Sequence, residues 1–440
     1  MLRASLLAIA LLLSPPAAYA AQASVDWTGP WNLAARFAGG SSAAVMTLTR
    51  GEGGAVTGTS GPLDEVGTWP LSVSGREEGG RLVLTLSRGS LAVGALTLRP
   101  GKDGLAGEGT LYGVSMTVTG ARDPGRRPPK VHDFAPTTFQ TRYSPDAPPV
   151  LHIAPGDTIR TTTLDNEGRG ADLTWRGMPG NTLTGPFYVD GAMPGDTLVI
   201  RFDRVALNRD TAKMASGRLS ARAVQAGHVQ TPRAGWDSTW ALDRERNVGR
   251  PVVGGKLSAF ALPLKPMIGS IGVAPPGAQA LTAGDLGFHG GNLDYSRLGA
   301  GATLYLPVFR AGALLSFGDG HALQGDGEIT GQGLETSLDV SLTVELIKGR
   351  SLGQPWSEDP EFVMVSGVDN TLDEALKMAT SGLARWLKER YGLDDSEIAA
   401  VMGASVVYDI AEVVDPRPHV VARLSKTVLA MLPAKGPSAP

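Results

Sequence analysis

The segment spanning residues 288–335, FHGGNLDYSRLGAGATLYLPVFRAGALLSFGDGHALQGDGEITGQGLE, constrains the fold more than any other, because its glycines and its ionisable residues are interleaved. Gly318, Gly320, Gly325 and Gly327 alternate with Asp319, His321, Gln324, Asp326 and Glu328. Glycine takes positive φ without steric cost, so the pattern predicts a backbone of tight turns that brings several side chains to one point. His289, Asn292 and Asp294 come first, and two strand-like runs, residues 303–309 and 313–317, lead from them into the glycine-rich loop.

A chain of 440 residues is long for a single core and is expected to hold two or three domains, at about one per 100 to 200 residues. The first twenty residues read as an export address. Arg3 gives a positive start, residues 6–13 an apolar middle, and Ala18-Tyr19-Ala20 a small-residue cleavage site. Cleavage is expected after Ala20, giving a secreted or periplasmic protein. The apolar run falls short of the roughly 20 residues that a membrane span needs, and no span is expected in the mature chain. The formal net charge of −3 includes no concentrated basic patch, which argues against a nucleic-acid partner. The absence of cysteine excludes disulfides, thiolate metal sites, a cysteine nucleophile and lipid attachment through a thiol.

Alternating runs at residues 44–48, 81–86, 95–98 and 115–118, set between glycine-rich turns, predict a small all-β accessory domain over residues 22–120. Trp27 and Trp31 open it, and a tryptophan at the edge of a barrel or sandwich is more often core than ligand platform. Residues 121–149 carry seven prolines and read as an extended linker whose Arg122, Arg126, Arg127 and Lys130 are solvated. Residues 150–433 form the expected catalytic domain. Two Pro-Gly-Asp-Thr turns, at 155–158 and 194–197, each feed a strand, and Asp157 and Asp196 are expected to cap them through backbone N–H groups. Residues 206–258 are irregular, an excursion over a site, a subunit contact or a plain surface loop, with Trp236 and Trp240 candidates for a pocket mouth. Residues 336–347 alternate as one strand. Helices are expected only afterwards, over 371–390 with a capping box from Thr371 and Glu374, and over 396–407 capped by Asp394 or Asp395. This tail is expected to pack on the sheet and to do no chemistry.

Six blocks of the sequence resemble the acetamidase/formamidase family: PGDTIRTTTLDN (155–166), TGPFYVDGAMPGDTLVIRF (184–202), PMIGSIGVAP (266–275), HGGNLD (289–294), LYLPV (304–308) and GALLSFGDGHALQGDGE (312–328). The last is long and specific, and together they cover roughly 138–433. The resemblance implies a mainly β fold, with an acetamidase/formamidase-like β-sandwich core and a C-terminal helical segment. It also implies metal-dependent hydrolysis of small linear amides to a carboxylate and ammonia.

Spacing alone leaves two readings of His289, Asp319 and His321, as ligands of a zinc-like ion or as hydrogen-bonding residues in glycine turns. The resemblance favours a divalent ion, with zinc the first candidate and calcium the second. Asp319 and His321, at i and i+2, face the same side if that segment is extended. Glu328 is the expected general acid/base, with Asp326 the alternative. Asp165, which closes the first family-like block, is a further ligand or acid/base. Asn292, Asp294 and Gln324 are expected to bind substrate, and the first two also to orient His289. No G-x-S-x-G nucleophile elbow is present. Thr330 stands where the family often has cysteine. The expected partner is a small amide, and a homo-oligomer is left open. The competing reading is a non-catalytic protein that keeps the fold to hold a ligand.

Overall fold

The computed structural model describes residues 26–433 apart from 39, 62, 64–69, 102–103 and 216. The expected export segment lies outside the described residues.

The N-terminal alternation resolves into eight strands: β1 (Gly29–Phe37), β2 (Gly40–Arg50), β3 (Ala55–Ser60), β4 (Leu71–Glu78), β5 (Arg81–Arg88), β6 (Leu91–Gly101), β7 (Gly104–Leu111) and β8 (Val114–Ala121). Each pairs antiparallel with the next, and β8 returns to β1 to close an up-and-down barrel. Closure leaves no unpaired strand edge. Alternate residues such as Leu33, Met46, Leu82, Leu84 and Leu98 point inward and are fully buried. Trp27 and Trp31 belong to the same core. Trp31 Nε1 donates to the Trp27 carbonyl at 3.0 Å, and the Arg122 guanidinium lies 3.7 Å above the Trp31 ring.

The proline-rich segment that follows is largely exposed, Arg126 and Lys130 included, but it is also tied to its neighbours. Val131–Asp133 pairs in parallel with Thr158–Thr162, and Arg142–Tyr143 pairs with Leu281–Thr282. Arg127 forms a two-pronged pair with buried Asp157, at 2.8 and 2.5 Å. Asp157 also accepts from the N–H groups of Ala154 and Lys130 and lies 2.8 Å from His132 Nε2. It therefore caps its turn and anchors the segment. Burial alone would raise its carboxyl, but Arg127 and the other donors hold it well below the usual carboxylate range. Asp196 likewise caps its turn, accepting from Met193 N at 2.9 Å, and takes Lys348 as its charged partner.

Beyond residue 150 two sheets share one apolar core. In the first, strand Thr197–Leu207 lies between Thr303–Pro307 and Leu338–Ile347. In the second, strand Leu315–His321 lies between Met267–Gly272 and Glu335–Thr336 over part of its length. Ile200, Phe202 and Leu342 from the first sheet join Ile268, Leu315 and Phe317 from the second in one buried cluster. The run read as one strand over 336–347 is two strands in different sheets. The chain crosses at Ser337, where Thr336, Ser337 and Leu338 are all buried and strict alternation fails.

Two helices cover the far end of the first sheet, α1 (Leu372–Tyr391) and α2 (Asp395–Ser405). Thr371 caps α1 by accepting from Glu374 N at 3.2 Å, but the Glu374 carboxylate turns to Lys377, so the reciprocal half of the capping box is missing there. The complete box belongs to α2, from Asp394 and Glu397. A methyl group at Gly367 would lie 2.1 Å from the Ala375 carbonyl oxygen, so this glycine lets α1 lie directly on strand Phe362–Val368. The chain then forms a hairpin, Val407–Glu412 with His419–Ser425, whose turn reaches the second sheet. Among the described residues no helix is long and apolar enough to cross a membrane.

Candidate metal and active site

Strand Leu315–His321 carries Asp319 and His321 to its end, where the pairing register sets Glu335 directly opposite His321. Asp294 follows the short strand Gly290–Asn292, and Glu328 occupies the turn beyond His321. Asp294, Asp319 and Glu328 all have left-handed backbones, with φ of 38°, 57° and 43°. Side chains with a Cβ rarely take this conformation, and such strain gathers at functional sites. Asp319 thus does not reach the site by simple strand alternation; its backbone turns, and its Oδ1 lies 3.7 Å from His321 Nε2. Beneath them, Gly269 gives the carboxylates room, since a Cβ there would lie 2.5 Å from Asp294 Oδ1 and 2.8 Å from Asp319 Oδ2.

His321 Nε2 is the centre of the group. It lies 3.2 Å from Glu335 Oε1 and 3.8 Å from Asp294 Oδ1. Two overlapping sets, Asp294, His321, Glu328 and Asp319, His321, Glu335, each present ligand atoms within 4.8 Å of one another. All five residues are at most 6% exposed, so water does not solvate their charges. His321 Nε2, Asp294 Oδ1, Asp319 Oδ1 and Glu335 Oε2 nevertheless lack hydrogen-bond partners. Unpaired buried polar atoms are costly, and one imidazole nitrogen among four carboxylates is a donor set that a divalent cation satisfies.

The tautomer of His321 follows from its neighbours. Gln324 Nε2 donates to the carbonyls of Asp294 and Ala411, at 2.5 and 3.2 Å, so its Oε1 faces His321 Nδ1 at 2.8 Å and accepts that proton. In the neutral imidazole, the form that binds a metal, Nε2 is then left with its lone pair toward the carboxylates. Burial raises Asp294 and Glu328 well above the usual carboxyl range and Glu335 to about 7. For His321 burial acts downward, but Glu335 and Asp319 outweigh it and hold the imidazole well above its ordinary value.

Asn292 orients the carboxylates rather than His289. Its Nδ2 donates to Asp294 and, at 2.5 Å, to Asp415, while its Oδ1 accepts from Asn181 Nδ2 at 2.8 Å and from Ser270. His289 lies outside both ligand sets, edge-on to Tyr143 with ring centroids 5.2 Å apart, and burial lowers its imidazole to about 4. Asp165 is held by Arg209 at 2.8 Å and by the N–H groups of Glu167 and Arg169. Asp326 is exposed on the outer side of the turn whose Glu328 points inward. The structure therefore gathers Asp294, Asp319, His321 and Glu328, with Gln324 and Asn292 bracing them, and leaves His289, Asp165 and Asp326 apart.

Two residues joined to the site were not singled out from sequence. Glu335 could have been found from a hairpin register pairing it with His321. Asp415 had no local signal, because it comes from the turn of the C-terminal hairpin. The tail thus contributes to the site, contrary to expectation. Glu412 Oε2 accepts from the N–H groups of Val414 and Asp415, at 2.9 and 3.0 Å, and so shapes that turn. Asp415 also lines a solvent-open cavity of about 550 Å³, bounded by residues 218–230, Thr330, Gly331 and Val414. The irregular excursion therefore forms a wall of a cavity that Asp415 also lines. Trp240 does not mark its mouth; it is buried against Phe260.

The sequence profile of the Acetamidase/Formamidase family matches residues 129–282 and 273–428, and so leaves out the barrel. A formamidase of Methylophilus methylotrophus is 27% identical over 266 residues, covering 48% of this chain and 64% of the relative. An acetamidase of Mycolicibacterium smegmatis is 25% identical over 274 residues, covering 47% and 66%. The chain thus spans slightly under two thirds of the length of these curated relatives. Among solved structures, a recombinant predicted acetamidase/formamidase from Thermoanaerobacter tengcongensis is similar with a TM-score of 0.59 and 29% identity, over 69% of this chain and 99% of that one. An acetamidase from Bacillus halodurans gives 0.58 and 29%, over 68% and 98%.

Proposed function

Because the chain belongs to the Acetamidase/Formamidase family, we propose that it is an amidase that hydrolyses a small linear amide to a carboxylate and ammonia, with a divalent metal ion at His321. One observation carries the metal reading: four buried polar atoms, on His321, Asp294, Asp319 and Glu335, converge without hydrogen-bond partners. These residues would hold the ion. Zinc suits the imidazole nitrogen and calcium suits the oxygens. When bound, such an ion supplies a Lewis acid and a more acidic water.

The chain's own groups then divide the remaining work. Glu328, whose carboxyl is held well above its ordinary value by burial and by neighbouring carboxylates, is suited to take a proton and return it to the departing amine. Asn292 holds Asp294 and Asp415 in place. Asp415 lines the cavity as well as touching the cluster, so it is placed to meet the amide nitrogen. If residues 1–20 act as an export signal, the reaction takes place outside the cytoplasm.

The test is ammonia release from short linear amides by the mature chain, after chelation and after adding back zinc, calcium or manganese. His321→Ala should lose both the metal and turnover. Glu328→Gln should keep the metal and lose turnover by about 10²–10⁴-fold. Stoichiometric metal binding with no amide hydrolysed would favour the ligand-binding reading, for which Thr330 in place of the family's frequent cysteine is the supporting feature.

A further inference from the structure

The cavity beside the cluster, which Asp415 and Gly331 line and the five cluster side chains do not, is much larger than formamide needs. At about 30 Å³ for a water molecule, formamide takes roughly 60–100 Å³, less than about a fifth of the 550 Å³ present. Pockets of this size hold substrates with a substantial body beyond the reacting group.

The two sides of the cavity differ in charge. Asp415 on one side is the cavity residue that touches the cluster, through Asn292. The other side is the excursion, which carries Arg218 and His228. This segment is fastened down by bonds that do not use Arg218. Ser220 N donates to the Ile329 carbonyl at 2.7 Å, Arg222 reaches the carbonyls of Val414 and Asp415, and Leu219 exchanges two hydrogen bonds with the Gln230 amide, at 2.7 and 2.9 Å. Among the described residues Arg218 has no carboxylate partner, although Arg222, Arg233, Arg244 and Arg246 nearby in sequence all have a charge or ring contact or a hydrogen bond. Arg218 is exposed, and its guanidinium at the cavity wall presents a planar fork suited to a carboxylate.

We propose that this cavity selects linear primary amides whose acyl chain ends in a carboxylate, the monoamides of short dicarboxylic acids, with the amide at the Asp415 side and the carboxylate at Arg218. The assignment rests on the amidase reading and adds a substrate class to it. Hydrolysis breaks the amide C–N bond, consumes one water and releases ammonia and the dicarboxylate, with no oxidant or reductant required.

The experiment compares kcat/KM of the metal-replete protein on formamide, a four-carbon dicarboxylic monoamide, the neutral straight-chain amide of equal length and an ω-amino amide. The anionic amide should exceed the neutral one by at least about tenfold. Arg218→Gln should collapse that ratio toward one, chiefly through KM, and Arg218→Glu should turn the preference toward the ω-amino amide. Equal rates on anionic and neutral amides, formamide as the best substrate, or an unchanged ratio in Arg218→Gln would overturn the inference and leave the amidase reading standing. Failure to hydrolyse any of the four, with metal bound, would remove the amidase reading and this inference with it.

Discussion

Gly269 offers the sharpest test of whether the carboxylates act together on one ion. It lies inside strand Met267–Gly272, fully buried, with a backbone that an alanine can also adopt. Left to local effects alone, Gly269→Ala should be neutral or should stabilise by about 0.4–1 kcal/mol by restricting the unfolded chain. The structure demands more. Restoring ordinary contact at 3.4 Å from the new methyl would push Asp294 Oδ1 back from 2.5 Å and Asp319 Oδ2 from 2.8 Å, displacements of about 0.9 and 0.6 Å. The backbone oxygen of Asp319, at 3.0 Å, has less freedom to move. Overpacking of this kind costs about 1–3 kcal/mol. Shifts of nearly 1 Å in groups that position a reaction cost up to about 10²-fold in rate. The variant is therefore expected to fold, to bind metal about 10–100-fold more weakly by calorimetry, and to lose amide turnover by about 10²-fold. A folded Gly269→Ala protein with metal affinity and turnover within twofold of wild type would refute the claim that Asp294 and Asp319 converge on the same ion.

Two further predictions concern the scaffold. Arg127→Met removes the charged partner of buried Asp157; because Arg127 is 34% exposed and Asp157 keeps its other donors, urea unfolding should show a modestly lower midpoint, and an unchanged midpoint would show that the proline-rich segment is not anchored there. His419 is fully buried, its Nδ1 is 2.7 Å from the Leu293 carbonyl, and burial lowers its imidazole to about 4. With an unfolded value of about 6.5, the unfolded chain binds the extra proton between pH 6.5 and 4, so this contribution to stability is whole above pH 6.5 and is lost as pH falls toward 4, by about 3 kcal/mol in all. His419→Asn keeps a donor for Leu293 and should flatten the stability profile over that window; an unchanged slope would count against the buried neutral imidazole.

The parts of this protein that were legible in its sequence are those set by neighbours along the chain. Alternation located the barrel strands, and Pro-Gly-Asp turns identified Asp157 and Asp196 as caps. The glycine-interleaved loop pointed to Asp319, His321 and Glu328, because positive-φ backbones cluster where side chains must converge. The parts that were not legible depend on register and distance. Glu335 meets His321 because of which residues face each other across two strands, and a slip of one residue would remove it. Gln324 braces His321 rather than standing free for substrate, a role set by the carbonyls of Asp294 and Ala411. His289, in a turn of the same glycine-rich stretch, falls into a separate niche beside Tyr143.

The hairpin that carries Asp415 also fixes when the site can exist. Synthesis proceeds from the N-terminus, and domains tend to fold in that order. The barrel closes on residues 29–121 alone, so it can form while the rest of the chain is still being made. Asp415 cannot be fixed until His419–Ser425 has paired with Phe362–Val368. Until then the carboxylates around His321 lack one wall and remain open to water, where their mutual repulsion is screened. The nascent protein is thus spared the full crowding of its acidic centre until that hairpin arrives.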